Sequence, residues 1–284
     1  DNVLRTTPGL YPDPLYPIDG GVVAFPGQWR SVWVTVRIPR SGVSGKHVIA
    51  VQLTKDGTVL GEVSLTLEVV PVTLPPQKLI HTNWFHSDCI ATRYGVEAWS
   101  KAHWELVGKF MRSAVAHGIN MILTPVFTPP LDTQVGGERP TVQLVDVEKD
   151  GQRYRFGFSR LKKWVETAQD CGVKYFEISH LFTQWGAAHC PKIVAREKGK
   201  VKKIFGWKDS ATGKKYRNFM DQFLPALVAF IDRQKIRNRC YFHVSDEPHR
   251  EHLEQFAQAA AMVHQHLRGF RFIDALSDLE FYDR

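Results

Sequence analysis

Residues 159–182, SRLKKWVETAQDCGVKYFEISHLF, decide the fold of most of this chain. Ser159 opens a helical pattern in which Leu161, Trp164, Val165 and Ala168 recur at the three- and four-residue spacing of one helix face. Gly172 ends it, as glycine does past a last turn. Lys174 to Phe182 follows as a strand. The same rhythm extends in both directions. Upstream lie a strand over Leu79 to His86 and a helix capped by Ser100, with Trp104, Val107, Met111, Ala114 and Val115 on one face and Gly118 behind it. A strand follows from Asn120 to Phe127. Downstream, Asn218 opens a helix through Phe219, Phe223, Leu227, Phe230 and Ile231, and Cys240 to Asp246 is a strand. Pro248 suits a helix start; Phe256, Ala260, Val263 and Leu267 line that helix, and Phe270 to Leu276 is a fifth strand.

Strict alternation of strand and helix implies an α/β fold with a parallel sheet. Five units fit a doubly wound sheet or part of a (β/α)8 TIM-type barrel. No glycine-rich phosphate loop follows the first strand, which weakens the nucleotide-binding alternative. The expectation is a barrel over residues 77–284 whose C-terminal units lie beyond Arg284. Two connections after strand C-termini are long, Thr128 to Ser159 with a hairpin around Asp150-Gly151, and Thr183 to Arg217. Loops on that side of a barrel build its active site.

Residues 1–76 read differently. Ser31–Ile38 (SVWVTVRI), His47 to Thr54 and Glu62 to Val70 are alternating or β-branched runs, with Asp56-Gly57 as a hairpin turn. A small all-β sandwich is expected there, and Val72 to Pro76 reads as a linker.

Composition narrows the function classes. Of 284 residues, 43% are hydrophobic and 23% charged, which excludes a disordered chain. No apolar run approaches the ~18–20 residues of a membrane span, so no membrane partner is expected. Without a signal-peptide pattern at Asp1, a cytoplasmic location is the expectation. Between residues 181 and 217 stand ten Lys/Arg against Glu197 and Asp209, an excess equal to the net charge of the whole chain, +8. The basic character is thus one solvated loop, with attraction of an anionic glycan as a second reading. No nucleic-acid module accompanies it, and nucleic acid is not an expected partner.

Ser245-Asp246-Glu247-Pro248 is the sharpest local feature. Neighbouring carboxylates at a strand's C-terminal end stand where barrel enzymes place catalytic groups, and close carboxylates drive their pKa values apart, keeping one protonated as a general acid. Side chains alternate along a strand, so both can face one pocket only if the strand loosens there. The structural alternative is acidic capping of the helix after Pro248.

Four segments, His81–His86 (HTNWFH), Thr124–Asp132 (TPVFTPPLD), His180–Trp185 (HLFTQW) and Tyr241–Pro248 (YFHVSDEP), together resemble bacterial barrel proteins related to glycoside hydrolase family 123. The resemblance runs over about residues 78–284. It implies a retaining β-N-acetylhexosaminidase-like enzyme, N-acetylgalactosamine-directed by kinship, in which the substrate's 2-acetamido oxygen is the nucleophile. Glu247 would then be the general acid/base and Asp246 the residue orienting the acetamido group. The spacing suits this. A carboxylate nucleophile and its acid need ~5–5.5 Å across the sugar, whereas adjacent residues lie on one side of it.

Flat aromatic rings bury the C–H faces of sugars. Trp84, Phe127, Phe182, Trp185 and Trp207 fall at or beyond strand ends; core packing is the better reading for Trp84 and Phe127, while Trp185 and Trp207 are the candidate sugar platforms. His86, Asp88 and His180 are candidates for holding hydroxyls at the mouth. No cofactor is expected, and no metal: Cys89, Cys171, Cys190 and Cys240 lack ligand spacing. A metal-dependent barrel hydrolase using His86, Asp88 and His180 is one alternative, and a non-catalytic carbohydrate-binding barrel is another.

Overall fold

In a computed structural model, residues 15–283 are described apart from positions 29, 132 and 277; Asp132, at the end of the second motif, is thus outside the described residues. The chain divides between Pro76 and Gln77.

Among its described residues the first unit holds one antiparallel hairpin, β1 (Gly45–Lys55) and β2 (Thr58–Val69). Asp56 and Gly57 between them both have positive φ, +49° and +82°, the pairing a two-residue type I′ turn needs. Ser31–Ile38 forms no strand. Its Val32, Trp33, Val34 and Val36 are exposed, and β1 and β2 pair only with each other among the described residues. Alternation makes a strand only where a partner edge completes its ladder. Of the expected sandwich, the described residues show a single hairpin.

The second unit alternates as its periodicity predicts. Its elements are α1 (Ser87–Tyr94), α2 (Lys101–Ala116), β3 (Met121–Thr124), β4 (Asp146–Asp150), β5 (Arg153–Gly157) and α3 (Ser159–Asp170). They continue with β6 (Tyr175–Ile178), β7 (Ile193–Glu197), β8 (Lys200–Phe205), α4 (Lys214–Arg233), β9 (Cys240–Phe242), α5 (Leu253–His264) and β10 (Arg271–Phe272). Strands β3, β6, β9 and β10 lie side by side in chain order, each parallel to the next. Thr82 adds a parallel bridge to Met121 on the outer side of β3. The predicted strand over Leu79 to His86 shrinks to this one bridge, because the Asn120 side chain takes over its backbone groups: Oδ1 accepts from His81 N (2.9 Å) and Nδ2 donates to Leu79 O (2.9 Å). The described sheet keeps its strands in chain order and is not closed.

Local signals explain most boundaries. Ser100 Oγ accepts from His103 N at 3.2 Å, capping α2. Gly118 and Gly172, both in the left-handed region, close α2 and α3. Helix α4 starts one turn before Asn218, at Lys214. Its Tyr216, Phe219, Met220, Phe223, Leu224, Leu227, Phe230 and Ile231 are buried at helical spacing.

The two long connections are not loops. Each folds into a hairpin, β4–β5 and β7–β8, and the hairpins join through parallel pairing of β4 with β7 into a second four-stranded sheet. Gln143 stitches the join: its Nε2 donates to Val145 O (2.9 Å) and Val194 O (2.8 Å), and its Oε1 accepts from Val194 N (2.9 Å). Tyr154 and Phe156 on β5 and Phe205 on β8 pack edge-on or tilted against Phe219 of α4. Phe205 and Phe219 are buried and Tyr154 and Phe156 partly so; burying an aromatic ring fully contributes about 1.5–3 kcal/mol, and these contacts fix the sheet against α4.

Candidate active site

Strand β9 ends at Phe242, and the chain beyond it leaves the ladder while staying buried through Ser245. Side chains of neighbouring loops take over its hydrogen bonds. Val244 N donates to both carboxylate oxygens of Asp274 at 3.1 Å. Ser245 Oγ accepts from Gly186 N (3.3 Å) and Ala187 N (3.2 Å) and donates to Thr183 O (3.0 Å). Trp185 N donates to Asp246 O at 2.9 Å. Glu247 then turns left-handed, φ +44°, an uncommon conformation for a residue with a side chain. This is the loosening that two adjacent carboxylates need in order to escape strict alternation. Asp246 is half-buried and Glu247 exposed, so the two acids meet different surroundings.

Beneath this segment lies a buried polar cluster. Glu177 stands in the middle of β6, 1% exposed. Its carboxylate accepts from the Thr82 hydroxyl, from Trp84 Nε1 (2.8 Å) and from His243 Nε2 (2.6 Å). The other ring nitrogen of His243 donates to Asp274 Oδ1 at 3.2 Å. Burial alone pushes the His243 pKa down, but hydrogen bonds and charge from Asp274 and Glu177 outweigh it and raise it to about 9. His180 stacks on His243 with ring centroids 4.0 Å apart. Burial, reinforced by the neighbouring His243 charge, holds its pKa well below the ordinary histidine value. One ligand-capable atom from each of His180, His243 and Asp274 lies within 4.8 Å of the other two. Thr82, Trp84, Glu177, His243 and Asp274 line an open hollow of about 420 Å³; Asp246 and Glu247 are not among its lining residues.

Glu177, Thr82, His243 and Asp274 escaped the sequence reading as site residues. A signal for Glu177 was present: a carboxylate flanked by Phe176 and Ile178 in a strand buried on both faces must find partners. Its partners Thr82, Trp84 and His243 stand 66 to 95 residues from it in the chain, and no local pattern marks them.

The remaining sequence candidates separate. Trp185 is 39% exposed, with φ +59°, on the loop that Ser245 anchors. Trp207 is half-buried, its ring centroid 5.9 Å from that of His189. Phe127 and Phe182 are core residues, packed on Phe223 and Tyr216. Trp84 stands edge-on to His86, His180 and His243, so His180 belongs to the polar cluster. His86 sits at the N-terminus of α1. Asp88 is placed otherwise than at a mouth. It is 3% exposed, with Arg139 Nε at 2.9 Å and Nη2 at 3.1 Å on its two carboxylate oxygens. A paired Arg–carboxylate fork saturates the carboxylate, leaving Asp88 to hold the Leu131–Arg139 loop, whose Leu131 carbonyl Arg139 also binds. The basic stretch is β7–β8 and its flanks rather than a loop. Its charge is partly paired: Lys192 and Lys203 with Glu138, and Lys202 with Glu197, which also binds Lys149.

Comparison with known proteins gives the family of this chain. Residues 84–284 match the family described as glycoside hydrolase 123, catalytic domain. Among solved structures, the chain resembles a family 123 glycoside hydrolase from Clostridium perfringens, a structure concerned with glycolipid glycan hydrolysis. The TM-score is 0.66 at 16% sequence identity, over 87% of this chain and 45% of that one. The chain thus spans less than half the length of that protein, and at this identity the likeness is one of fold. No curated protein matches.

Proposed function

Since this chain belongs to the glycoside hydrolase 123 family, we propose that it hydrolyses a glycosidic bond of a glycan with Glu247 as general acid/base and Asp246 as the residue that orients a 2-acetamido group. The reaction is retaining and substrate-assisted. The acetamido oxygen attacks the anomeric carbon while Glu247 protonates the leaving oxygen; Glu247 then takes a proton from the water that opens the cyclic intermediate. The observation that carries this reading is the left-handed turn at Glu247 directly after a half-buried Asp246 whose main chain Trp185 clasps. An exposed side chain can reach first the leaving oxygen and then the incoming water that replaces it, and a half-buried, positioned carboxylate can hold one amide orientation.

Trp185 and Trp207 serve as sugar platforms in this reading, with His86 at the rim. The parallel strands in chain order support a (β/α)8 barrel as the complete catalytic fold, since a doubly wound sheet reverses its order at a switch point. The β1–β2 hairpin is read as part of an all-β domain over residues 1–76, with residues 77–284 as the catalytic unit.

Glu247→Gln is the test. It should lose ~10²–10⁴-fold in kcat on a natural N-acetylhexosaminide, whose leaving group needs protonation, and retain much of the turnover of an activated aryl glycoside. A thiazoline mimic of the cyclised intermediate should inhibit the parent enzyme. Full activity of Glu247→Gln on the natural glycan, or indifference to the thiazoline, overturns the assignment.

A further inference from the structure

The cluster beneath the acid pair holds more polar groups than the proposed hydrolysis uses. His180 is buried and, among the described residues, neither of its ring nitrogens has a hydrogen-bond partner. Buried polar groups in folded proteins are almost always satisfied, and an exception calls for a ligand or a role. His180 lies against His243 and Asp274, with one ligand-capable atom of each within 4.8 Å of the other two. The cluster also carries two carboxylates, Glu177 and Asp274, against the one histidine they share.

We propose that His180, His243 and Asp274 form a binding site for a divalent transition cation of the zinc type. Two imidazole nitrogens and one carboxylate oxygen are the donor set such ions prefer, and three protein ligands leave a further position toward the adjoining hollow. Glu177 supplies the outer support. A ligating histidine characteristically donates its far N–H to a carboxylate, and His243 Nε2 does so to Glu177 at 2.6 Å. Its Nδ1 faces Asp274 at 3.2 Å, and the proton on that nitrogen leaves to solvent as the cation enters. Thr82 and Trp84 hold Glu177 in turn. Metal–ligand bonds of ~2.0–2.2 Å require the donors to draw together. The ring that moves is His180, which is held by ring contacts with His243 and Trp84 and whose nitrogens have no hydrogen-bond partner among the described residues. This site is independent of the glycosidase reading, because no step assigned to Asp246 or Glu247 passes through it.

The test uses the full chain stripped with a chelator and titrated with zinc(II) and cobalt(II). One equivalent should bind, and saturating zinc should raise Tm by about 5 °C or more. Cobalt should give visible d–d bands without a thiolate charge-transfer band, since no cysteine belongs to the set. His180→Phe fills the same slot, removes the unmet nitrogens and should abolish uptake. Asp274→Asn keeps an oxygen for Val244 N and should weaken binding more than tenfold. The double variant His249→Ala/His252→Ala removes a separate histidine pair and should bind normally. No stoichiometric uptake, a thiolate signature with cobalt, or unchanged binding in both His180→Phe and Asp274→Asn overturns the proposal.

Discussion

Arg139 and Asp88 show how much a single side chain decides. Both are nearly sealed from solvent, with side-chain exposures of 9% and 4%. Removing one partner leaves a buried charge uncompensated, which costs about 3–5 kcal/mol. Asp88→Ala should therefore lower the unfolding free energy by that amount in urea titration, and Asp88→Ala/Arg139→Met should recover much of the loss. A change under 1 kcal/mol in Asp88→Ala would return the carboxylate to the list of substrate-binding candidates. The cysteines make a second case. Burial pushes the thiols of Cys190 and Cys240 up, Cys240 to about 12 although Arg239 and Arg237 pull the other way. Only the thiolate reacts, so at pH 8 an aromatic disulfide reagent should label exposed Cys89 quickly. Cys190 and Cys240 should respond only after denaturant is added. Rapid labelling of all four thiols in native protein would refute that placement.

Among elements, the loop carrying Trp185 is held with little tolerance. Gly186 has φ +103°, and a Cβ there would stand 2.5 Å from His252 Cγ. Both the conformation and the space exclude a side chain. Gly186→Ala should dislodge the loop from Ser245, and the Trp185 amide, now bonded to Asp246 O, should exchange with deuterium much faster. Protection equal to the parent's would show that the clasp survives. The elements also show what a sequence can disclose. Asp56-Gly57, Asp150-Gly151, Ser100, Gly118 and Gly172 act through their own backbone preferences, and the turns and helix ends they predict stand in the structure. The start of α4 was missed because its cap position holds Gly213 and no side-chain cap. The second sheet was missed because β4 pairs with β7 across more than forty residues, and non-local pairing leaves no trace in local periodicity. At Asp246 and Glu247 the sequence showed that the strand had to loosen but not how, since the turn depends on hydrogen bonds from Asp274, Ser245 and Trp185.

For the whole molecule, the location of the core decides which parts can stand alone. Alternation of strands and helices was enough to read a parallel sheet, but the Glu177 cluster draws on several separate segments and becomes visible only when they are assembled. The buried hydrophobic residues among those described run from Ile90 to Phe281, and none precedes Pro76. The second unit therefore supplies its own core, and a chain beginning at Gln77 should melt within about 2 °C of the full chain, less than the shift of 1 kcal/mol. Gln77 is needed in it, because its Nε2 donates to Leu79 O and Gly118 O, both at 3.0 Å. A chain beginning at Trp84 makes the sharper comparison. It lacks Gln77, the backbone that Asn120 satisfies at Leu79 and His81, and the Thr82 hydroxyl on Glu177. Each lost hydrogen bond is worth about 0.5–1.5 kcal/mol, more where a buried carboxylate is the acceptor. The shorter chain should accordingly melt at least ~5 °C below the longer one. Equal melting of the two would mean that residues 77–83 do not belong to the folded sheet and that Thr82 does not support Glu177. A broad, non-cooperative transition in the Gln77 chain would instead show that residues 1–76 are needed for the core to form.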